Sequence, residues 1–483
     1  MSFFGKIATI VGIIAILVTP SVDGTAQADS AQRPKSIILL IGDGMGINQA
    51  RSADIYAREI MGRTMVINSI CTRGVTTTYS SNSEITDSAA AATALLSGYK
   101  SDNGMINMLP DGRKVFTIAQ AAKKAGLSVG VVSTTRLTHA TPAAMYSHSR
   151  RRDDENFIAE QLPELAPEVA MAGGMRHFIP QSKKGSKRND DKDLIDVMKN
   201  EGYAYVTDAD ELAATDFGKI DRLLGLFAMS HMDYELDRET VPKLGSQPSL
   251  ADMAQAALSI LEKSPKGFFL MIEGGRIDHA CHAHDIKAAI YETLALDDAV
   301  CVALEYRKGH PDVLVLVTGD HETGGLGLGR GTKYALALAQ LKPLKNSLEY
   351  VSHQILRDPA KLDEWLDAAG FELTEDERAF LVKNRPETKV DAVAQLHNYA
   401  RIDEYAVSWI HFALSSIENG RAGIGWTSYA HTAQPVITYA AGPGEEEFAG
   451  FYDNTDIAKK MFKLLGLPLE ESGTSTGKYG GAH

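Results

Sequence analysis

Cysteine is scarce in this chain of 483 residues: Cys71, Cys281 and Cys301 are the only ones, an odd number. At least one thiol is therefore unpaired within the chain, and disulfides do not hold the fold. A chain of this length buries enough core without them. Basic charge is also in deficit. With 62 acidic against 49 basic residues, the net charge is -13. That balance argues against a surface built to neutralise nucleic-acid phosphates or anionic lipid, and no nucleic-acid-binding module is expected. An anionic small substrate would need cations placed locally. Long apolar runs are missing beyond the N-terminus. The single run, Ile7 to Val18, follows Lys6 and precedes Thr25-Ala26-Gln27-Ala28, an A-x-A cleavage pattern. It is short for a membrane span, and residues 1–28 read as a secretory signal peptide rather than an anchor. The expectation is an exported protein, periplasmic or extracellular, with no membrane span after cleavage.

What is present is an ordinary globular composition, 44% hydrophobic and 23% charged. Five short runs are continuously apolar and rich in β-branched residues: "SIILLIG" (36–42), "SVGVV" (128–132), "GFFLMI" (267–272), "VLVLVTG" (313–319) and "PVITYAAG" (435–442). Such runs are the mark of parallel strands buried on both faces. Helical patterns separate them, as in "KVFTIAQAAKKAG" (114–126) and "SLADMAQAALSILEKS" (249–264). The alternation predicts an α/β fold, a three-layer α/β/α sandwich around a large, mostly parallel sheet. Residues 181–193 form a charged, mobile loop in this reading. Residues 331–426 show mainly helical pattern and are read as an insertion, a cap or crown over the ligand-binding edge of a catalytic domain spanning 29–470. The low-complexity tail 471–483 contains a G-x-S-x-G match at Gly473 to Gly477. That match lacks the strand and helix a nucleophile elbow requires, and is set aside.

The stretch "EGGRIDHACHAHD", Glu273 to Asp285, concentrates carboxylates and imidazoles. Out of water such groups need partners. A solvated helix face, a buried hydrogen-bond network or a metal site would each account for them. The neighbouring strands favour the last. In open α/β sheets, ligands bind at the carboxyl ends of the strands. Here those ends run into Asp43, Glu273, Asp320-His321, and the segment holding His139 and Thr141. Asp278 and His282 stand four apart, on one helix face. His279 and His284 face elsewhere, as outer-sphere or surface residues, and Cys281 is a packed thiol. In "TDSAAAATALLSG" (86–98), Asp87 is a good N-cap and Ser88 opens an Ala-rich helix whose free N–H groups suit a phosphate.

Together these motifs resemble the alkaline phosphatases, secreted metal-dependent phosphomonoesterases of bacteria and animals. The resemblance is carried by "IGDGMG", "TDSAAAATAL", "THATPAA", "EGGRIDHACH", "TGDHETGG" and "AHTAQPV", in the family's order. It implies Ser88 as the nucleophile of a phosphoserine intermediate. Asp278, His282 and His431 would form a first zinc site; Asp43, Asp320 and His321 a second; Asp43, Thr141 and Glu273 a third, for magnesium. The cofactors implied are thus two Zn2+ and one Mg2+, the substrates small phosphate monoesters of broad range, and the assembly a homodimer.

Two positions depart from a simple transfer. The phosphate-clamping arginine falls in "SRRRDDEN", where spacing favours Arg152 but Arg150 and Arg151 compete, and a solvated patch paired with Asp153 and Asp154 is the alternative. At residue 139 this chain has histidine, as animal members do, where some bacterial members have aspartate; His139 therefore bears on third-site affinity. A phosphodiesterase relative would lack the third site and commonly use threonine. A sulfatase would need a C/S-x-P-x-R context, which none of the cysteines nor Ser88 has. A metal- or phosphate-binding protein without turnover would not need Ser88 where it stands.

Overall fold

The computed structural model describes residues 33–332, 334–383 and 408–469. The expected signal peptide 1–28, the tail 471–483 and the middle of the 331–426 block lie outside them. Among the described residues no helix is long and apolar enough to cross a membrane.

The strands are β1 (Ser36–Gly42), β2 (Thr72–Thr77), β3 (Ser128–Arg136), β4 (Val169–Gly173), β5 (Ala204–Val206), β6 (Leu223–Leu226) and β7 (Phe268–Gly274). They continue with β8 (Val313–Gly319), β9 (Glu322–Thr323), β10 (Gly327–Leu328), β11 (Ile424–Gly425), β12 (His431–Thr432), β13 (Val436–Ala441) and β14 (Gly450–Asp453). Ten of them form one sheet in the order β14-β2-β13-β8-β1-β7-β3-β4-β6-β5. Alternate residues of the central strands divide between two cores. Ile38 and Leu40 of β1, with Leu270 and Ile272 of β7, join the helices Leu250–Leu261 and Ile286–Gly309 on one face. Ile37, Leu39 and Ile41, with Phe269 and Met271, join the helices Ser88–Ser97, Ile118–Ala125 and Asn454–Leu465 on the other. Every residue of β1, β7 and β8 is buried, which is why these runs are apolar without alternation. The three-layer α/β/α architecture read from the sequence is the one observed.

One direction differs. "PVITYAAG", read as a parallel strand, forms β13, which pairs antiparallel with both β8 and β2. A strand covered on both faces is apolar whichever way it runs, so composition does not carry its direction. The loop 181–193 differs as well, because it is anchored. The Arg188 side chain is 0% exposed and donates to Glu160 at 2.7 Å and to Asp190 at 2.6 Å.

The 331–426 block leaves and rejoins the body through a two-residue antiparallel ribbon, β10 on β11. Its described helices are Leu348–Arg357, Leu362–Ala368, Glu375–Lys383 and Trp409–Ala422. A second ribbon pairs β12 with β9, setting His431 opposite Thr323. The chain thus returns from the insertion directly onto the end of β8.

Candidate active site

The parallel strands deliver their carboxyl ends to one edge, and the polar residues follow. Asp43 comes directly after β1, Glu273 is the penultimate residue of β7, and Asp320-His321 follows β8. His139 and Thr141 sit in the turn of helix after β3. Gly44 lets these segments converge. Its φ is 70°, its N–H donates to Asp320 Oδ1 at 3.0 Å, and a Cβ there would lie 2.9 Å from the Asp278 backbone.

Ser88 is the first residue of a helix buried along its whole length. Asp87 caps it, accepting from Ala90 N at 3.0 Å, and its other oxygen accepts from Gly104 N at 2.9 Å. The Ser88 hydroxyl is 3.2 Å from His321 Nε2. Thr323 Oγ1 donates to Asp278 and lies 3.3 Å from His321 Nδ1, which leaves the proton of His321 on Nδ1 and a lone pair on Nε2.

Around that lone pair, Asp43 Oδ1 and Asp320 Oδ2 each stand 3.4 Å away. Donors bound about 2.0–2.1 Å from a tetrahedral ion are separated by roughly 3.3 Å. The spacing of His321, Asp43, Asp320 and Ser88 is therefore that of a coordination shell. Asp278, His282 and His431 repeat the pattern. His282 Nε2 is 3.3 Å from Asp278 Oδ2 and 3.1 Å from His431 Nε2, which is 3.5 Å from Asp278 Oδ1. Both rings donate their Nδ1 protons to carbonyls, His282 to Tyr429 and His431 to Thr86. The two Nε2 atoms thus face each other and the Asp278 carboxylate, an arrangement that a shared cation stabilises.

A third group joins Asp43, Glu273 and His139, whose donor atoms lie within 4.8 Å of one another. Thr141, fully buried, is close enough to Glu273 to help hold its carboxyl down, yet Oγ1 has no hydrogen bond of ordinary geometry. Arg152 belongs to this edge. Its Nη1 donates to Asp87 Oδ2 at 3.1 Å and its Nη2 to His139 Nε2 at 3.0 Å. Arg151 instead points to solvent, its side chain 72% exposed beside Asp154, and Arg150 packs on Gly112.

The electrostatics call for cations. Burial first, then the carboxylates of Asp320, Asp278 and Glu273, raise Asp43 well above the usual range. Burial also raises Asp320, and lifts Glu273 to about 7. Burial works in the same direction on Asp278, but His282 and His431 outweigh it and hold that carboxyl low. Both oxygens of Asp43, Glu273 Oε1, Asp320 Oδ2 and Thr141 Oγ1 are buried without hydrogen bonds. Buried oxygens in native proteins are almost always satisfied, and a bound cation is one of the few explanations for five together. The donors fit metal ions.

Several contributors were not singled out from the sequence. Ser133 and Thr135 donate to Glu273, the latter at 3.1 Å, and Thr323 donates to Asp278 at 2.5 Å. Ser133 and Thr135 share a face at the end of β3, a two-residue alternation of hydroxyls that was the available signal. His279 and His284, allowed for as surface residues, are buried. His279 is held by Arg276 at 3.0 Å. His284, at φ 53°, is stacked between Tyr429 and Trp426 with ring centroids 3.8 and 4.8 Å away. Cys281 is a buried free thiol, as expected.

The alkaline phosphatase family model matches residues 34–467. Alkaline phosphatase 3 of Bacillus subtilis is 33% identical over 476 residues, covering 95% of this chain and 97% of its own. The Thermus thermophilus alkaline phosphatase structure superposes with a TM-score of 0.78 at 32% identity, over 92% of this chain and 95% of its own. A His-to-Asp variant of the TAB5 alkaline phosphatase, with magnesium bound in its M3 site, superposes at 0.65 with 26% identity, over 90% and 99%. With agreement running the length of both partners, this chain belongs to the alkaline phosphatase family and is a phosphomonoesterase.

Proposed function

We propose that this enzyme passes the phosphoryl group of many different monoesters through Ser88, at a centre holding two zinc ions and one magnesium. Asp278, His282 and His431 would hold one zinc, and Asp43, Asp320 and His321 the other. Asp43, Thr141 and Glu273 would hold magnesium, with His139 beside it. Imidazole-containing sets suit zinc and an all-oxygen set suits a hard ion; magnesium in the TAB5 variant agrees with the latter. The observation that carries the reading is the Ser88 hydroxyl, 3.2 Å from the same His321 Nε2 that stands 3.4 Å from Asp43 and 3.4 Å from Asp320.

When bound, zinc would lower the pKa of the serine hydroxyl and of the attacking water, and neutralise charge on the leaving oxygen. The chain's own residues do the rest. Ser88 Oγ gives up its proton to solvent and forms a bond to phosphorus as the bond to the ester oxygen breaks on the opposite side, and that oxygen takes up a proton to leave as the alcohol. The helix N-terminus and the Arg152 guanidinium stabilise the non-bridging oxygens, Arg152 being aimed by Asp87. A water oxygen then bonds to phosphorus and Ser88 Oγ departs with a proton, releasing inorganic phosphate. These groups grip the phosphoryl group and not the alcohol, which accounts for a broad substrate range.

The test is metal analysis of the purified protein, followed by assays on an aryl phosphate monoester, a diester and a sulfate ester. Zinc and magnesium in the protein with a strong preference for the monoester is the expected result. A metal-free protein with full activity would overturn the reading. Export with cleavage after Ala28 and a homodimeric assembly complete it; the intact mass of secreted protein and light scattering test these two.

A further inference from the structure

His431 is placed unlike the other members of the three sets. Asp43, Glu273 and Asp320-His321 stand at the ends of long central strands, and Asp278 and His282 on a helix. His431 lies in β12, two residues long, which forms a sheet of its own with the two-residue β9. Gly324 adds backbone bonds to Thr427, Ser428 and Ala430 on one side of it, and the ring itself donates to the Thr86 carbonyl at 2.8 Å. A ribbon this short is marginal in water, and a slip of one residue turns every side chain to the opposite face. Its register therefore needs a side-chain anchor.

Glu322, in "TGDHETGG", is built as that anchor. In the ribbon His431 lies opposite Thr323, and Thr432 opposite Glu322. Opposite residues of an antiparallel pair share a face, and neighbours along a strand alternate. Thr323 and His431 accordingly turn to Asp278: Thr323 donates to its Oδ1 at 2.5 Å, and His431 Nε2 stands 3.5 Å from the same oxygen. Glu322 and Thr432 turn the other way. Thr432 Oγ1 accepts from Gln434 N at 3.4 Å and donates to Glu322 Oε2. That carboxylate, only 1% exposed, accepts three more bonds: Oε1 from Gln49 Nε2 at 2.7 Å and Leu326 N at 3.0 Å, and Oε2 from Gly325 N at 3.2 Å. Gln49 also donates to the Thr323 carbonyl at 2.7 Å. Gly46, which caps helix Ile47–Tyr56, makes room, since a Cβ there would overlap Glu322 Cγ. A slipped ribbon would leave a buried carboxylate short of a donor, a costly state. Asp320 and His321 are held differently, by bonds from Gly44 N and His321 N to Asp320 Oδ1.

We propose that Glu322 is a positioning residue, fixing the register of β12 through Thr432 so that His431 Nε2 meets Asp278 and His282. The proposal rests on the reading of that set as a zinc site. Crystals of the full chain, equilibrated at a series of buffered free zinc concentrations, test it through the anomalous zinc peak at each set. Glu322→Gln should raise the free zinc that half-fills the Asp278–His282–His431 set by about 10–100-fold. Filling of the Asp43–Asp320–His321 set should not change. Thr432→Val, which removes one donor and little volume, should shift the first set by about tenfold. Thr432→Ser, which keeps the hydroxyl, should fill as wild type does. General damage to folding would move both sets together. No zinc at the His431 set in wild-type crystals would overturn the zinc reading itself, and this proposal with it. Normal wild-type filling, with Thr432→Val filling identically or with both sets weakened alike in Glu322→Gln, would overturn the positioning role alone.

Discussion

His139 shows how much one side chain decides at this centre. Burial, then the charges of Arg152 and Arg136, hold its pKa well below the ordinary value, so the ring is neutral. Because Arg152 can only donate, His139 Nε2 accepts and its proton sits on Nδ1, a buried atom without a hydrogen bond. A protonated Nδ1, and an Nε2 engaged by Arg152, leave His139 no lone pair for a hard cation. An aspartate at this position would add negative charge beside the oxygen set and a second carboxylate on Arg152. His139→Asp is therefore expected to lower the magnesium midpoint of activity by about tenfold after chelation and zinc reloading, with turnover reduced through slower phosphate release. Identical midpoints in the two proteins would show that residue 139 does not tune the site. Most of the proposed ligands were legible in the sequence because they stand at the end of a recognisable strand or share a helix face, whereas His431 came from the resemblance alone. Ser133, Thr135 and Thr323 were not, since isolated hydroxyls are common on strands and only their shared direction gives them meaning. Spacing favoured Arg152, and the geometry separates it from Arg150 and Arg151.

At the scale of elements, the insertion is coupled to the centre by a stack. Helix Trp409–Ala422 presents Asn419, which accepts from Trp426 Nε1 at 2.9 Å and donates to the His284 carbonyl at 2.8 Å. Trp426 and Tyr429 enclose the His284 ring, and the Tyr429 carbonyl orients His282. A left-handed backbone at His284 costs about 1–3 kcal/mol and persists because this packing over-determines it. Trp426→Ala should weaken zinc binding at Asp278–His282–His431 by about 10–100-fold, as loss of a supporting partner does elsewhere. Trp426→Phe should retain most of it. Chelator competition reads the affinity, and an unchanged value in a folded Trp426→Ala protein would detach the insertion from the site. The elements most legible in the sequence were the long apolar strands and the capped helices. The direction of β13 was hidden because burial on both faces imposes the same composition either way. Short strands such as β5, β6 and β14 carry too few residues to show a period.

Across the whole molecule, folding brings four carboxylates, Asp43, Glu273, Asp278 and Asp320, into one buried edge. Without cations, Asp43 and Asp320 are held far above the usual range and Glu273 at about 7, so the folded chain keeps protons that an unfolded one has lost. Raised carboxyls subtract stability as pH climbs from the ordinary carboxylate range to their folded values. Cations displace those protons, so the stabilisation gained on metal loading should grow between about pH 5 and 8, by ~1.4 kcal/mol per unit for each proton displaced. Buried histidines away from the centre, such as His148 and His411, held near 4 chiefly by burial, contribute equally to both forms and cancel. Paired thermal melts of loaded and chelated protein measure this; a gap that does not change with pH would contradict the electrostatic account. Phosphorylation of the serine is tested by acid-quenching the metal-loaded enzyme during turnover of a monoester, then weighing the intact chain and its peptides. One phosphate is expected on Ser88, and none on the Ser88→Ala chain, which should also lose most of its activity; a wild-type chain that turns over while Ser88 is never phosphorylated would rule out the covalent route.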